Sequence, residues 1–510
     1  MGNEPSVDAS PSPEIVPRWE WRTFGEHLGG ADERFASLDA ESTNDSDEVY
    51  VLSRAVKDAT VKVRHELMDV KRLQRVNEDG LEQWLPVMKA AFPLGADDVA
   101  SVLGALQVAV PPLQRPAYAL DQLLDEVLRP NAALAVVEMH KRRSRYTFGG
   151  CMSELTTVSA GGRSTRTIAV EAEDAALVTA AVRELGLESR ENTSYPRALR
   201  SVLGFGAVRC AVIDVGTNSV KFHVGERDER GNWTTIVDRS EITRLGEGLR
   251  KSGELREGPM ERTAKAIEGM VDEAEAKTAL RIAAVGTAGL RIATNASDFV
   301  ETVHRQCGLE VEVISGEEEA RLAYVAAISA LGLTEGTLAA FDSGGGSSQF
   351  TFGVGARVDE QFSVDVGAVR FTEQFDLGGA VSEDVLAAAL DAIAADLQRL
   401  DGRQTPDALI AMGGTSTNLA AVKHGLSTYD PDVVQGTRLD RAEIDRQIEL
   451  YRSRDLDSRR EIVGLQPKRA DVILAGACIV RTVMNKLGSD AVTVSDRALR
   501  HGLLVERFGG

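Results

Sequence analysis

Cysteine is scarce: the 510 residues hold four, Cys151, Cys210, Cys307 and Cys478. They stand too far apart for any metal or disulfide spacing, so a zinc module and a disulfide framework are both ruled out. A reducing, cytoplasmic setting is expected. An excess of positive charge is missing too, since 58 Lys+Arg face 78 Asp+Glu for a net charge of −20. That argues against a general nucleic-acid binder but leaves room for an anion held in a local basic pocket. No apolar run approaches the ~18 residues of a membrane helix, so no membrane partner is expected. The opening MGNEPSVDASPSPEIVP is acidic and Pro/Ser-rich, the opposite of a signal peptide, and residues 1–17 read as a disordered leader. What is present is ordinary for a soluble protein, 43% hydrophobic and 27% charged, in a length suited to two or three domains.

Two textures divide the chain. Residues 26–48 are acid-rich, with eight carboxylates against Arg34. From Glu48 to Glu173 short segments alternate apolar and polar residues: EVYVLSR, VKVRHELMDVKRL, VVEMHKRRSRY, CMSELTTV and TIAVEAED. Such alternation predicts strands. Helices are expected near 80–106, 119–129 and 174–186, giving an α+β region around an antiparallel sheet. The texture changes at Gly204–Gly206. Beyond it the buried-strand runs AVIDVG, RIAAVGTAG, VEVIS, TLAAFDSGGG and ALIAMGG each end in a Gly-containing turn. Helices are expected near 258–278, 296–307, 316–331, 382–400, 440–453 and 468–487. This is an α/β architecture, with ligands at the carboxyl ends of the strands.

Inside the second region two segments match: AVIDVGTNSVKFHVGE (211–226) and LAAFDSGGGSSQFTFG (338–353). Each is an apolar strand, an Asp, a turn of small residues and a second alternating strand, which reads as a duplicated β-hairpin. The turns are Gly216, Thr217, Asn218 and Ser219 in one copy, and Ser343, Gly344, Gly345, Gly346, Ser347 and Ser348 in the other. Glycines let the backbone approach a ligand and expose successive N–H groups as an anion nest. Asp214 and Asp342, beside these nests, repel phosphate directly; they suit Mg²⁺ or a bridging water. Either turn alone is a weak motif that simply closes a hairpin. Two copies with the Asp at the same place point to a phosphate cleft between half-domains.

The pair of turns resembles the phosphate-binding loops of the actin-like ATPase and sugar kinase superfamily, a ribonuclease H-like fold. Within it the chain is similar to the exopolyphosphatase/guanosine pentaphosphate phosphohydrolase (Ppx/GppA) family. The resemblance rests on DVGTNS at 214, GTAGLRIATNASDF at 286, ISGEEEARLAY at 314, DSGGGSS at 342, VGAVRFTEQF at 366, MGGTSTN at 412 and SDRALRHGLL at 495, in the family's order over about 206–510. It implies that Gly216–Ser219 and Gly344–Ser347 bind phosphate, that Arg291 contacts it, and that Glu319 is the catalytic Glu. It also implies that Asp214 and Asp342 hold Mg²⁺, and that Arg370, Glu373, Gly413, Gly414 and Thr415 line the cleft. The implied activity is Mg²⁺-dependent hydrolysis of the terminal phosphate of polyphosphate or of guanosine pentaphosphate. Taken alone, SGEEEAR is also an N-cap with acidic first-turn residues, and Arg291 is equally a surface ion-pair partner. One departure stands out: where the family's second loop ends in Glu, this chain has Gln349, a weaker metal ligand. The resemblance also implies a short form, expected to be without the extra C-terminal helical domain of longer members, in which a final helix near 496–507 closes the second half-domain.

The strands of the first region place charge on one face: Lys62, Arg64 and Glu66; Lys141, Arg143 and Arg145; Glu171 and Glu173. A solvated face with cross-strand ion pairs explains that as readily as a ligand site. The order of WEWR (19–22), VKVRHELMDVK, KRRSRY, CMSELTTV and TIAVEAE, however, resembles the CYTH domain, a triphosphate tunnel metalloenzyme fold built as a closed antiparallel barrel. The resemblance covers about 18–200. It implies that Glu20, Arg22, Arg64, Lys71, Lys141 and Arg143 face phosphates and that Glu154, Glu171 and Glu173 face a metal. The family's E-x-E-x-K signature is reduced here to Glu20 and Arg22, which favours binding over tunnel catalysis.

The expected organisation is a leader over 1–17, a polyphosphate-binding barrel over 18–204, and actin-like half-domains over 206–333 and 334–510. The expected function is a Mg²⁺-dependent exopolyphosphatase. Guanosine pentaphosphate hydrolysis and a non-catalytic polyphosphate or nucleotide sensor are the alternatives, and a kinase shares the fold. A homodimer is left open.

Overall fold

A computed structural model describes residues 17–333 and 335–509; the expected leader lies, but for Pro17, outside the described residues. Eight strands close into an antiparallel barrel, in the order Trp19–Gly25, Arg163–Ala172, Cys151–Ala160, Leu134–Phe148, Ser42–Ser53, Ala59–Arg64, Leu67–Val76 and Glu82–Ala91. The period-2 alternation decides which residues face out. Val61, Val63, Met68 and Val70 pack outward under the Ala96–Ala105 helix, and Trp21, Ile168 and Val170 pack under the helices Gly30–Ala36 and Ala175–Glu184. The opposite residues fill the lumen, which has two unlike ends. Phe24, Leu52, Val137, Met139 and Ala160 form an apolar floor against Tyr195, Ala198 and Leu199 of the Tyr195–Leu203 helix. The charged residues line the rest.

Two expectations for this region are corrected. Residues 82–91 form a strand, and the helix is confined to Ala96–Ala105. Pro86 sits beside a shift in the pairing between Val70 and Lys71, where a missing N–H disturbs the ladder least. Glu66 does not share the face of Lys62 and Arg64: it sits with His65 in the hairpin turn, both at positive φ, 51° and 56°.

Beyond Gly204, which ends the linking helix in a left-handed conformation at φ 69°, two sheets repeat one plan. The first runs Trp233–Ile242, Ser219–Arg227, Val208–Val215, Arg281–Gly286, Val311–Val313; the second runs Arg357–Val364, Ser348–Val354, Thr337–Ser343, Ala408–Met412, Ala491–Val494, Arg438–Asp440. In each the first three strands pair antiparallel and the fourth pairs parallel to the third. This is the duplicated actin-like architecture that the two hairpins foretold.

The C-terminal helix, Leu499–Phe508, does not close the second half-domain as expected. Leu499, Leu503, Leu504 and Phe508 pack instead on Val208, Cys210, Val212 and Leu322 of the first. Helices Glu257–Ala276 and Ala296–Cys307 cover the other face of the first sheet. The face bearing Cys210 and Val212 is left for the Gly316–Ala330 helix and the returning chain end, and ion pairs Arg507–Glu312 (2.5 Å) and Arg321–Glu506 fasten that end.

Candidate active site

A cavity of about 830 Å³ opens between the half-domains, walled by Lys221, Arg291 and Glu319 from the first and by Asp342, Ser347 and Gln349 from the second. The hairpin register explains the pairing across it. Asp214 lies directly opposite Lys221, and Asp342 directly opposite Gln349, so in both copies the strand-end Asp shares a face with the residue seven positions on. Lys221 Nζ donates to Asp214 Oδ2 at 2.8 Å, and that carboxylate holds the ammonium's pKa above the usual lysine value. Gln349 Nε2 turns instead to Ser347 Oγ at 2.9 Å. Asp342 therefore has no ammonium of its own. Burial pushes its carboxyl above the usual aspartate range, against the opposing pull of Lys221 and Arg469.

Glu319 stands in the first turn of the Gly316–Ala330 helix, whose start is fixed by Ser315 Oγ accepting from the Glu318 N–H at 3.1 Å. Glu318 points away to Arg321. Glu319 Oε2 accepts from Arg291 Nη1 at 2.8 Å, and the same nitrogen donates to the Ile314 carbonyl at 3.0 Å. The ion-pair reading of Arg291 and its place in the site are thus one fact: the guanidinium sets the orientation of the carboxylate.

Both turns are open to solvent along Thr217–Asn218 and Gly344–Gly346, and each is closed by one backbone bond, Gly216 N to Ser219 O at 3.1 Å and Gly344 N to Ser347 O at 2.9 Å. N–H groups exposed along such turns are donors an anion can take. The Gly413–His424 helix begins against Asp342, and only glycine fits its first position. Gly413 has φ +81°, and a Cβ there would come 2.0 Å from Asp342 Oδ1. Over Gly414 lies the guanidinium of Arg469, 2.1 Å from where a Cβ would stand. Arg469 is a cation of the cleft that sequence reading missed.

Which groups can take a metal follows from the same inventory. Asp214 Oδ1 is buried and has no hydrogen-bond partner, and Asp342 supplies further carboxylate oxygen at the cavity wall. Hard oxygen donors with one buried atom unspent fit a hard dication. A second group of possible ligands, His223, Asp238 and His501, is already neutralised. Arg500 grips Asp238 with two bonds, 2.7 and 2.9 Å, and burial pushes the His501 pKa down to about 3.

The matches with known proteins agree with this geometry. The model of the Ppx/GppA phosphatase family matches residues 223–509. The chain belongs to that family. A bifunctional 3-dehydroquinate synthase/phosphatase of Fusobacterium nucleatum is 30% identical over 308 residues, 58% of this chain and 46% of that protein, so the chain spans just under half of it. Exopolyphosphatase 1 of Mycobacterium tuberculosis is 28% identical over 306 residues, 59% of this chain and 88% of that one. The crystal structure of the Aquifex aeolicus Ppx/GppA phosphatase, type II variant, superposes with a TM-score of 0.55 at 32% identity, covering 58% of this chain and 98% of that one. The barrel lies outside the residues matched by the family model.

Against the family frame, several expected ligands sit elsewhere. Arg370 is not brought into the cleft: its Nη2 pairs with Asp396 at 2.8 Å, its Nη1 with the Asp365 carbonyl. Glu373 is exposed farther along the same helix. Thr415 is buried, its side chain against Gly476, where a Cβ would stand 2.6 Å from Thr415 Cγ2; only its backbone is left for a ligand. Thr217 likewise packs on Gly289 and Gly246, fastening the first turn to the Arg291 segment.

In the barrel, the charges do share the lumen, but paired. Glu154 holds Arg22 at 2.8 Å and Arg143 at 3.1 Å. Glu48, which sequence reading passed over, sits among Lys141 (3.0 Å), Lys62 (3.7 Å), Arg64 (3.8 Å) and Arg143 (3.9 Å). Burial works against its ionisation, yet Lys141 and Lys62 bring the Glu48 carboxyl down to about 2. Lys141 is fully buried, its ammonium 3.6 Å from the centre of the Tyr195 ring. Arg64 and Lys71 are half-buried. Glu171 faces Glu20 across the strand pair, and burial and that neighbour raise its pKa. Glu173 is not with them, since it follows the strand end at Ala172 and is exposed. Tyr195 Oη and Thr156 Oγ1 are buried without hydrogen-bond partners.

Proposed function

We propose that this chain is a Mg²⁺-dependent exopolyphosphatase, removing the terminal phosphate of inorganic polyphosphate in the cleft between the half-domains. The observation that carries the reading is the cavity itself, walled by Lys221 and the Arg291-held Glu319 of the first half-domain and by Asp342 and Ser347 of the second. Membership of the Ppx/GppA family and likeness to mycobacterial exopolyphosphatases support it.

Phosphoryl transfer to water asks for an oriented nucleophile, an in-line leaving group and neutralisation of spread charge. Glu319, its Oε2 held by Arg291, accepts a proton from the attacking water. Lys221, Arg469 and the turn N–H groups donate to the phosphoryl oxygens, and the shortened chain leaves with its charge held by the same donors. Asp214 Oδ1 and Asp342 would hold Mg²⁺, whose chemistry is to neutralise charge developing on the transferred group. The barrel supplies a second site for the same polyanion, Arg64 and Lys71 at its half-open part, and so raises the effective concentration of chain at the cleft.

Phosphate release from long polyphosphate and from guanosine pentaphosphate by the full chain separates the readings. Faster release from polyphosphate supports an exopolyphosphatase. Preference for the nucleotide makes it a guanosine pentaphosphate phosphohydrolase, and binding of either without release makes it a sensor, the outcome Gln349 would favour. For the barrel, Arg64→Ala with Lys71→Ala should raise KM for long chains more than for short ones; equal KM changes would contradict a role in capture.

Among the described residues no helix is long and apolar enough to cross a membrane.

A further inference from the structure

The junction between the barrel and the first sheet holds a cavity of about 240 Å³. Its walls include Lys57 from the barrel, Arg197 and Arg200 from the linking helix, and Arg209 and Glu226 from the first hairpin. Cations dominate it, and the carboxylates present are spent on one partner. Arg209 donates from Nε to Glu226 at 2.7 Å and from Nη1 to Glu191 at 2.8 Å. Arg197 is paired with Glu82 of the barrel. Lys57 is exposed at the rim.

Arg200 is different. Only 2% exposed, it donates from Nη2 to the Val56 carbonyl at 2.9 Å, while its Nε and Nη1 are buried and have no hydrogen-bond partner. No carboxylate among the described residues pairs with it. Burial lowers its pKa, opposed only by Glu229 at a distance and helped by Arg54. A desolvated guanidinium with two idle donors and no counter-ion is costly to bury, and a planar fork of that kind matches an oxyanion.

The geometry points to a second anion site, distinct from the hydrolytic cleft: a phosphate group bound in the junction cavity by Arg200, one of its lining residues, with Lys57 at its rim. The volume exceeds that of one oxyanion, so free phosphate and the end of a short polyphosphate chain satisfy the same donors. The walls belong to both regions. The linking helix is itself tied to the first half-domain, Ser201 Oγ donating to the Thr278 carbonyl at 2.8 Å and Thr193 bonding Thr278 Oγ1 at 2.8 Å. An occupant therefore clamps the barrel to the half-domain that carries Glu319. This inference does not depend on the reading of the cleft.

The test is calorimetric titration of the full chain with orthophosphate and with tripolyphosphate, without added divalent cation. Wild type is compared with Arg200→Met, Lys57→Ala and, as the cleft control, Arg469→Met. A binding component should survive Arg469→Met. It should weaken about tenfold or more in Arg200→Met, as for loss of charge-assisted hydrogen bonds, and by a smaller factor in Lys57→Ala. Without phosphate, Arg200→Met should melt no lower than wild type, since it removes an uncompensated charge. Tighter binding of tripolyphosphate than of orthophosphate identifies a chain end as the occupant, and equal binding identifies free phosphate. Identical titrations in wild type, Arg200→Met and Lys57→Ala would overturn the site. So would a collapse of Arg200→Met together with an unchanged titration of Lys57→Ala, which would make the guanidinium purely structural.

Discussion

The two hairpins that face each other across the cleft share backbone, register and the strand-end Asp, yet differ in the side chain opposite that Asp. In the first, Lys221 neutralises Asp214 at 2.8 Å. In the second, Gln349 leaves Asp342 without a cation of its own and spends its amide on Ser347. The duplicated hairpins share one plan, and the side chain opposite the Asp separates them: an ammonium bonded to Asp214 in the first copy, an amide turned away from Asp342 in the second. On the proposed reading the first copy would add a positive donor to the substrate, and Asp342 of the second would be the carboxylate freer to take a dication.

The sharpest way to break this comparison is Asp342→Asn. Loss of this carboxylate should lower kcat by at least about a hundredfold, more than is usual for a group that only supports a metal ligand; steady-state phosphate release measures it. Lys221→Met comes next. It removes a donor to the phosphoryl oxygens and strands Asp214, and KM for polyphosphate should rise about tenfold, as for a hydrogen bond to a charged group. The third prediction concerns pH. Burial raises the Asp342 pKa while Lys221 and Arg469 oppose it. The working form is ionised, so kcat/KM should fall as pH drops, beginning above the usual aspartate range. Arg469→Met should move that acid limb to higher pH, because one of the opposing cations is gone; an unmoved limb would detach Asp342 from the titration. The smallest effect is expected of Gln349→Glu. A second anionic oxygen beside Asp342 should lower the half-saturating Mg²⁺ concentration a few-fold, read from the Mg²⁺ dependence of phosphate release.

What the sequence made legible was local. Asp214 and Asp342, their turns and the acidic start of the Gly316–Ala330 helix all lie within single hairpins or helix ends, where spacing alone carries the pattern. Lys221 was within reach by the same logic, since a tight hairpin closed at Gly216–Ser219 must set it opposite Asp214. Glu48 was too, because it alternates with Tyr50 and Leu52 on the inner face. Arg469 was not: it lies more than 50 residues from Gly414 in sequence, and nothing local in PKRAD says where the chain folds back. The same holds for the terminal helix, whose apolar face fits either half-domain in the abstract. Its choice of the first depends on which sheet face the earlier helices left uncovered. Arg370 and Thr415 show the converse, motif positions whose side chains turn to Asp396 and Gly476. The strand at Glu82–Ala91 was misread because its run LPVMKAA has helix-forming composition, while closure of a barrel, a non-local demand, decided its conformation.

The central claim, that polyphosphate is hydrolysed at Glu319, is tested most directly by measuring binding and turnover of long polyphosphate in Glu319→Gln beside wild type. The account predicts that turnover falls by ~10²–10⁴, as for loss of a general base, with the dissociation constant for polyphosphate little changed. Turnover near that of wild type in Glu319→Gln would contradict it.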